Sequence, residues 1–246
     1  VLMVITSLEN KKVKDLVKLQ KKKYRDSTGT FMVEGEHLVI EALKANVLKE
    51  VIILDGKSTS VSVPCTYVTY EVMKKISNMD SVPDIIGVCT KSDKNDIVGN
   101  KILLLDDIQD PGNLGTIIRS AVAFNVSTII LSSLTVDLYN SKVLRATQGM
   151  LFHINIIRMD SMDAINLLKS KGYMIYGTSV DNGVDVRSLT KNEKEKVCLI
   201  MGNEGNGVST EILKMSDKNL YIKMNEEVES LNVGVACSIL LYELER

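Results

Sequence analysis

The sequence predicts an α/β protein of two domains, and three observations carry that expectation. From residue 101 onward, strand-like and helix-like segments alternate regularly. The run Ile102-Leu103-Leu104-Leu105 is continuously apolar, as in a parallel strand covered on both faces. The stretch Lys91-Ser92-Asp93-Lys94-Asn95-Asp96 is polar, lacks apolar periodicity and separates that region from an earlier one of mixed character. The boundaries are placed at 1–92, a linker at 93–100, and 101–246. With 246 residues, 45% of them hydrophobic and 25% charged, the chain is long enough to bury a core without disulfide help.

In the first region a basic helix is expected over 8–23, with Val13, Leu16, Val17 and Leu19 or Gln20 on one side. Strands are expected over 31–35, 50–54, 63–68 and 85–90, and helices over 37–45 and 70–77, giving a small α/β/α domain. In the second region strands are expected over 102–105, 128–131, 154–157, 173–176, 197–200 and 220–222. Helices are expected over 113–125, 141–148, 162–170 (stopped by Gly172), 209–215 and 231–244. This alternation describes a parallel sheet with helices on both faces.

Composition excludes several classes. Cys65, Cys89, Cys198 and Cys237 stand alone, and the two histidines, His37 and His153, are isolated, so no zinc-ligand cluster forms and no metal is expected. The thiols are expected to be reduced and partly buried. No apolar run is long enough for a membrane span, and the start Val1-Leu2-Met3-Val4-Ile5 lacks the features of a signal peptide. Met3 is read as the natural start, and the cytoplasm is the expected compartment. The net charge is −1, yet Lys11, Lys12, Lys14, Lys18, Lys21, Lys22, Lys23 and Arg25 crowd one stretch against a single Asp15. Such a cluster either neutralises RNA phosphates or forms a solvated helix face.

Three segments at expected strand ends hold the unusual residues, and parallel sheets place ligands at such ends. They are Asp106-Asp107-Ile108-Gln109-Asp110-Pro111-Gly112-Asn113 leading to Arg119, then Met201-Gly202-Asn203-Glu204-Gly205-Asn206-Gly207, then Ile222-Lys223-Met224 followed by Ser230-Leu231-Asn232-Val233. Each has a plain explanation. Asn113 can cap a helix, as can Ser230 or Asn232, the glycines can serve tight turns, and Arg119 can be a surface arginine.

Taken together and in this order, N-x-G-x-x-x-R, M-G-N-E-G-x-G and I-x-M with S-L-N-V resemble the three signature motifs of the SpoU/TrmH methyltransferases over 101–246. Lys14, Lys22, Arg25 and Phe31-Met32-Val33-Glu34-Gly35-Glu36 resemble the domain, similar to ribosomal protein L30e, that precedes the catalytic domain in ribosomal-RNA members. The segment 142–152 adds to the match. The resemblance implies a trefoil knot near the C-terminus, S-adenosylmethionine as methyl donor and a ribose 2′-hydroxyl of RNA as acceptor. It implies donor contacts at Gly202, Ile222 and Leu231, with Met201, Met224 and Thr178 close by. It implies catalytic roles for Arg119, Asn113, Glu204, Ser230 and Asn232. RNA contacts are expected from Lys11, Lys14, Lys18, Lys22, Lys23, Arg25 and Arg145. One departure is Gly234, where many members carry serine.

Large-subunit ribosomal RNA is favoured as the substrate because a whole domain precedes the catalytic one. Transfer RNA, or a non-catalytic RNA-binding protein of the same fold, are the alternatives. A dinucleotide-binding oxidoreductase is disfavoured, because the glycines of 202–207 have the wrong spacing and lie late in the chain. A homodimer is expected from the last helix. Val233, Ala236, Cys237, Leu240 and Leu244 form one apolar stripe there, and Val235, Ile239 and Tyr242 form a second.

Overall fold

A computed structural model describes residues 3–180 and 183–246. The chain divides into two compact units. One runs up to Asp93 and takes in Asp137–Phe152; the other comprises Lys94–Val136 and His153–Arg246.

The first unit begins with β1 (Val4–Ile5), α1 (Lys11–Lys18), α2 (Lys22–Thr28), β2 (Thr30–Glu34), α3 (Glu36–Lys44), β3 (Leu48–Leu54), β4 (Cys65–Val68), α4 (Tyr70–Ile76) and β5 (Ile85–Thr90). Its sheet has the order β1-β4-β3-β5-β2. β1, β4 and β3 run parallel, and β5 is antiparallel to both β3 and β2. Val13 and Leu16 of α1 and Val72, Met73 and Ile76 of α4 form a buried cluster with Ile52 and Ile86.

The single helix expected over 8–23 is two helices. α1 ends at Leu19, and the amides of Gln20 and Lys21 fold back on Val17 and Lys18. The reason lies in Arg25, which is only 6% exposed. Its guanidinium donates to the carbonyls of Leu19 and Gln20, both at 2.8 Å, and pairs with Asp137 at 2.5 Å. Carbonyls at the end of α1 are thereby claimed by a side chain instead of a continuing helix. Arg25 therefore does not stand among the surface cations.

The second unit opens with β6 (Lys101–Leu105), α5 (Pro111–Ala123) and β7 (Thr128–Leu131). The chain next supplies α6 (Ser141–Thr147), which packs against β2 within the first unit, as do Tyr139 and Phe152 against Phe31. It continues through β8 (Asn155–Arg158), α7 (Ser161–Ser170), β9 (Met174–Thr178), β10 (Val184–Asp185), β11 (Val197–Met201), α8 (Thr210–Met215), β12 (Lys218–Tyr221) and α9 (Val233–Glu245). All strands pair in parallel, in the order β10-β12-β9-β11-β6-β7-β8. The apolar run read from the sequence is β6, and its residues Ile102 to Leu105 are fully buried, as expected for an interior strand of such a sheet. Residues 97–100 belong to this unit as well. Ile97 packs on its core, and Val98 exchanges hydrogen bonds with the Thr128 hydroxyl at 3.1 and 2.8 Å.

Three cysteines are buried more deeply than expected and one is exposed, Cys65. Burial pushes the Cys89 and Cys198 thiols up to about 12, and Cys237 upward too, so all three are inert at neutral pH. Among the described residues, no helix is long and apolar enough to cross a membrane.

The Arg25–Asp137 pair has a measurable consequence. Asp137→Ala leaves a buried guanidinium without its counter-charge and is expected to lower stability by about 3 kcal/mol. Urea denaturation of the intact chain checks this; an unchanged midpoint would show that the pair is not structural.

Candidate functional site

β6 and β11 lie side by side at the point where the strand order turns back, and the loops that follow them meet there. The Asp106 amide donates to the Met201 carbonyl at 2.9 Å. Asp107 adopts φ 62°, a left-handed conformation uncommon outside glycine. It is held by Ser132, whose hydroxyl donates to the Asp107 carboxylate at 2.6 Å and accepts its amide at 2.8 Å. Asp106 beside it is pushed above the ordinary carboxylate range by burial, although the Ser161 hydroxyl donates to it at 2.6 Å.

The first loop does not start its helix at Asn113. Asp110 caps α5, accepting the Asn113 amide at 2.8 Å, and Pro111 takes the first helical position. Asn113 is thus freed from capping, and its side chain reaches two other loops. Its Nδ2 donates to Glu204 Oε1 at 3.1 Å, while its Oδ1 accepts from Asn232 Nδ2 at 2.9 Å. Asn232 in turn caps α9, its Oδ1 accepting the amides of Gly234 and Val235 at 2.9 and 3.3 Å. One side chain thus both caps α9 and joins the hydrogen-bond network of Asn113.

Glu204 closes the network. It accepts the Asp110 amide at 3.0 Å and the Gln109 amide at 3.1 Å. Burial alone would raise its carboxyl. The amide of Asp110, the Asn113 side chain, its own amide and that of Gln109 outweigh burial and hold it below the usual range.

The second loop folds tightly back on itself. Asn203 and Gly207 exchange backbone hydrogen bonds at 3.1 and 2.9 Å. The Asn203 Oδ1 accepts from Gly205 and Asn206, and its Nδ2 donates to the Asp107 carbonyl at 2.9 Å. Gly202 is fixed by space: a Cβ there would lie 2.1 Å from the backbone of Gly207 and Val208.

These loops and the segment 222–233 enclose a cavity of about 680 Å³ within the second unit. That volume falls in the range of small-molecule sites, about 300–1,000 Å³. All six expected donor contacts, Gly202, Ile222, Leu231, Met201, Met224 and Thr178, line it. So do Asn113, Glu204, Ser230 and Asn232. Arg119 does not line it. It is exposed on α5, six residues beyond Asn113, and its side chain makes no hydrogen bond or ion pair with a described residue. Two contributors escaped sequence reading. Asn203 was visible only as part of a glycine-rich string, and Glu229, a second acid in the lining, sits in a stretch without periodicity. Among the described residues the lining holds Glu204 and Glu229 but no lysine or arginine, which suits a sulfonium cation and disfavours a phosphorylated nucleotide.

Gly234 packs where α9 meets α5. A Cβ there would stand 3.1 Å from Thr116 Cγ2 and 3.2 Å from Asn232 Oδ1, so glycine relieves a tight contact beside the cap. Four residues on, the Ser238 hydroxyl lies 2.6 Å from that of Ser120 and ties the same two helices.

The expected RNA-contact residues all lie in the first unit. Lys11 and Lys23 are exposed. Lys14, Lys18 and Lys22 are exposed as well but pair with Glu9, Asp15 and Asp26. Arg145 is half-buried, and its Nη1 has no hydrogen-bond partner. No group of three or more metal-ligating side chains comes together among the described residues.

The depressed Glu204 carboxyl sets a pH expectation. Its contacts are fully present above the ordinary glutamate value of 4.5 and are lost as pH falls through the lowered value. Ligand affinity of the cavity, followed by calorimetry, is expected to be flat from neutral pH down to 4.5 and to drop only below it. A drop beginning near neutrality would show that Glu204 does not organise the loops.

Residues 100–242 match the SpoU rRNA Methylase family, and residues 10–87 match an MRM3-like substrate binding domain. The 23S rRNA (guanosine(2553)-2′-O)-methyltransferase RlmP of Bacillus subtilis is 38% identical over 245 residues, covering 98% of each chain. The AdoMet-bound rRNA methyltransferase of Sinorhizobium meliloti superposes with a TM-score of 0.86 at 32% identity, covering 99% of this chain and 97% of that one. A TrmH-family protein of Porphyromonas gingivalis, described as a putative RNA methyltransferase, gives 0.85 at 28% identity, covering 97% and 98%. With its three motif loops joined around one cavity and its relatives matching end to end, this chain belongs to the SpoU rRNA methylase family.

Proposed function

We propose that the protein transfers a methyl group from S-adenosylmethionine to a ribose 2′-hydroxyl of large-subunit ribosomal RNA, at a guanosine as in the Bacillus subtilis relative. The observation that carries this is the convergence of the three motif loops on an acid-lined cavity, in a chain related over its full length to an rRNA 2′-O-methyltransferase. A ribosomal-RNA substrate supports the cytoplasm as its compartment.

The donor supplies an electrophilic methyl group. The chain's own part is to hold the donor and prepare the 2′-oxygen. Backbone at Gly202, Ile222 and Leu231 suits the adenosine, because close approach there needs no side chain. Thr178, whose hydroxyl donates to the Ile200 carbonyl at 2.9 Å, holds the adjacent wall. Asn113, Glu204 and Asn232 form one connected unit that positions the first and third loops, and exposed Ser230 stands beside it for the ribose. Arg119 meets RNA from solvent. Its five N–H donors are unclaimed by any described residue, so a phosphate and the developing 2′-oxyanion are their natural partners. A guanidinium stays protonated, so we assign it electrostatic stabilisation in preference to general-base action. Lys11, Lys14, Lys18, Lys22, Lys23 and Arg145 supply further RNA affinity from the first unit.

The test is to map 2′-O-methyl groups on ribosomal RNA treated with the protein and labelled donor. Label on a base, or none on large-subunit RNA, would overturn the reading. Arg119→Ala is expected to lower turnover by about 10²-fold or more while donor affinity is kept. Arg119→Lys is expected to retain part of the activity, since the cation remains but the bidentate fork is gone. Equal loss in both variants would argue that the fork, or a proton-accepting role, dominates.

We also propose a homodimer joined through α9. Val235 and Tyr242 remain 47% and 49% exposed, and Ile239 is half-buried, so the second apolar stripe is left uncovered while Cys237, Leu240 and Leu244 of the first are buried in the core. A two-fold contact would cover it with its own copy. Light scattering at micromolar concentration is expected to give twice the chain mass, and Val235→Glu to give the monomer. A monomeric parent protein would remove the proposal.

A further inference from the structure

We infer that the first unit carries a pocket for one unstacked nucleobase of the substrate RNA, built from the turn after α1, the turn after α4 and the N-terminal end of α6. This rests on the reading of RNA as substrate and adds where and how one nucleotide is gripped.

The pocket holds about 190 Å³, well under half of the donor-sized cavity. All its residues belong to the first unit. Arg25 and Met32 line it together with Gln20, Asn78, Tyr139 and the 140–142 segment. Its walls are fixed by buried contacts that the methyl-transfer chemistry does not use. Glu34, 7% exposed, accepts the Ser77 hydroxyl at 2.6 Å and the Asn78 amide at 3.0 Å, which holds the turn after α4. The Gln20 side chain donates to the Ile76 carbonyl at 2.8 Å, joining the two turns. Tyr139 is packed on Phe31 at 4.4 Å between ring centres, and its hydroxyl accepts the Ser92 amide. Arg25 holds the turn after α1 and pairs with Asp137, yet its buried Nε has no partner. A buried N–H left open in an otherwise satisfied network is costly unless a ligand meets it.

The unused polar atoms choose the ligand. The Gln20 amide has donated both of its N–H hydrogens to protein acceptors and the Asn78 amide one of its two, which leaves both carbonyl oxygens as acceptors and one Asn78 N–H as a donor. Asn140 uses its oxygen to cap α6 and keeps its NH₂ as a donor. The Arg25 Nε–H is a further donor, and exposed Lys142 stands at the rim. A phosphate offers acceptors only and would leave the two carbonyl oxygens unmatched. A nucleobase edge carries donors and acceptors side by side, and single-stranded RNA is read through such edges. Lys142 is then placed for the adjoining phosphate.

The experiment uses the intact protein and a chemically assembled RNA spanning the methylated site, scanned with single abasic positions. Binding is followed by fluorescence anisotropy at several salt concentrations. Ser141→Tyr fills the pocket without changing charge. It is expected to weaken RNA binding about tenfold, as for one recognised base, with the salt slope and donor affinity unchanged. One abasic position is expected to weaken the wild type equally and to make Ser141→Tyr indifferent. Lys142→Glu, an acid in the first turn of α6 that helix electrostatics tolerates, is expected to lower both affinity and slope. Wild-type affinity in Ser141→Tyr overturns the pocket. So does a scan in which no abasic position weakens the wild type, a result that needs no variant to fold. A changed slope in Ser141→Tyr would indicate a phosphate instead and also overturns it. If the wild type neither binds nor methylates this RNA, the substrate reading itself fails, an outcome distinct from failure of the pocket alone.

Discussion

Glu204 accepts N–H groups from Gln109, Asp110 and Asn113, and through Asn113 it is connected to Asn232. This relay joins the loop after β6, the loop after β11 and the start of α9. The two loops are irregular and anchored by single buried apolar residues, Ile108 and Val208, so the polar relay fixes the rest of their course. An ionised carboxylate suits the task because it accepts several hydrogen bonds at once, each stronger than a neutral one. A glutamine there would replace one of the two acceptor oxygens with a donor facing the same amides. The charge also gives the cavity its sign, so one residue both shapes the site and selects a cationic ligand.

The relay constrains the elements behind it. Asn113 is available only because Asp110 takes over the cap of α5. Asn232 contributes its NH₂ to the relay while its oxygen starts α9. α9 must therefore lie against α5, and there Gly234 removes a side chain that would crowd Thr116. In this chain the missing serine hydroxyl is a matter of packing between two helices. The Ser120–Ser238 contact supplies a hydroxyl pair one turn further on.

Strand and helix identities were legible because they follow from local periodicity. The seven-stranded sheet is built from apolar runs such as 102–105 and 197–200 that no other element explains. The residues that line the cavity were legible as well, since glycine and asparagine strings at strand ends have few other uses. What failed depended on distant partners. The break between α1 and α2 is imposed by Arg25, whose own position depends on Asp137, more than a hundred residues away. Residues 137–152 read as a continuation of the second region because sequence order says so, yet Phe31 of the first unit packs on Tyr139 and Phe152. The cap of α5 was misplaced by three residues because aspartate and asparagine are almost equal as caps. β1 and β10, two residues each, carry no periodicity to detect.

The net charge of −1 conceals a division of labour by sign. The two substrates of a methyl transfer to RNA differ in charge: the donor bears a sulfonium cation and the acceptor a phosphate at every nucleotide. A surface of one sign could not favour both. Here the exposed lysines concentrate between Lys11 and Lys23 in the first unit, whereas the donor-sized cavity of the second is lined by Glu204 and Glu229 without a basic residue. Several of those lysines already have acidic neighbours, Lys14 with Glu9 and Lys22 with Asp26. Exposed pairs of this kind are worth little, so a phosphate can displace the carboxylate at small cost. Non-specific attraction is thereby moderated, and discrimination is left to contacts that do not depend on charge, such as those to base edges and to the 2′-hydroxyl.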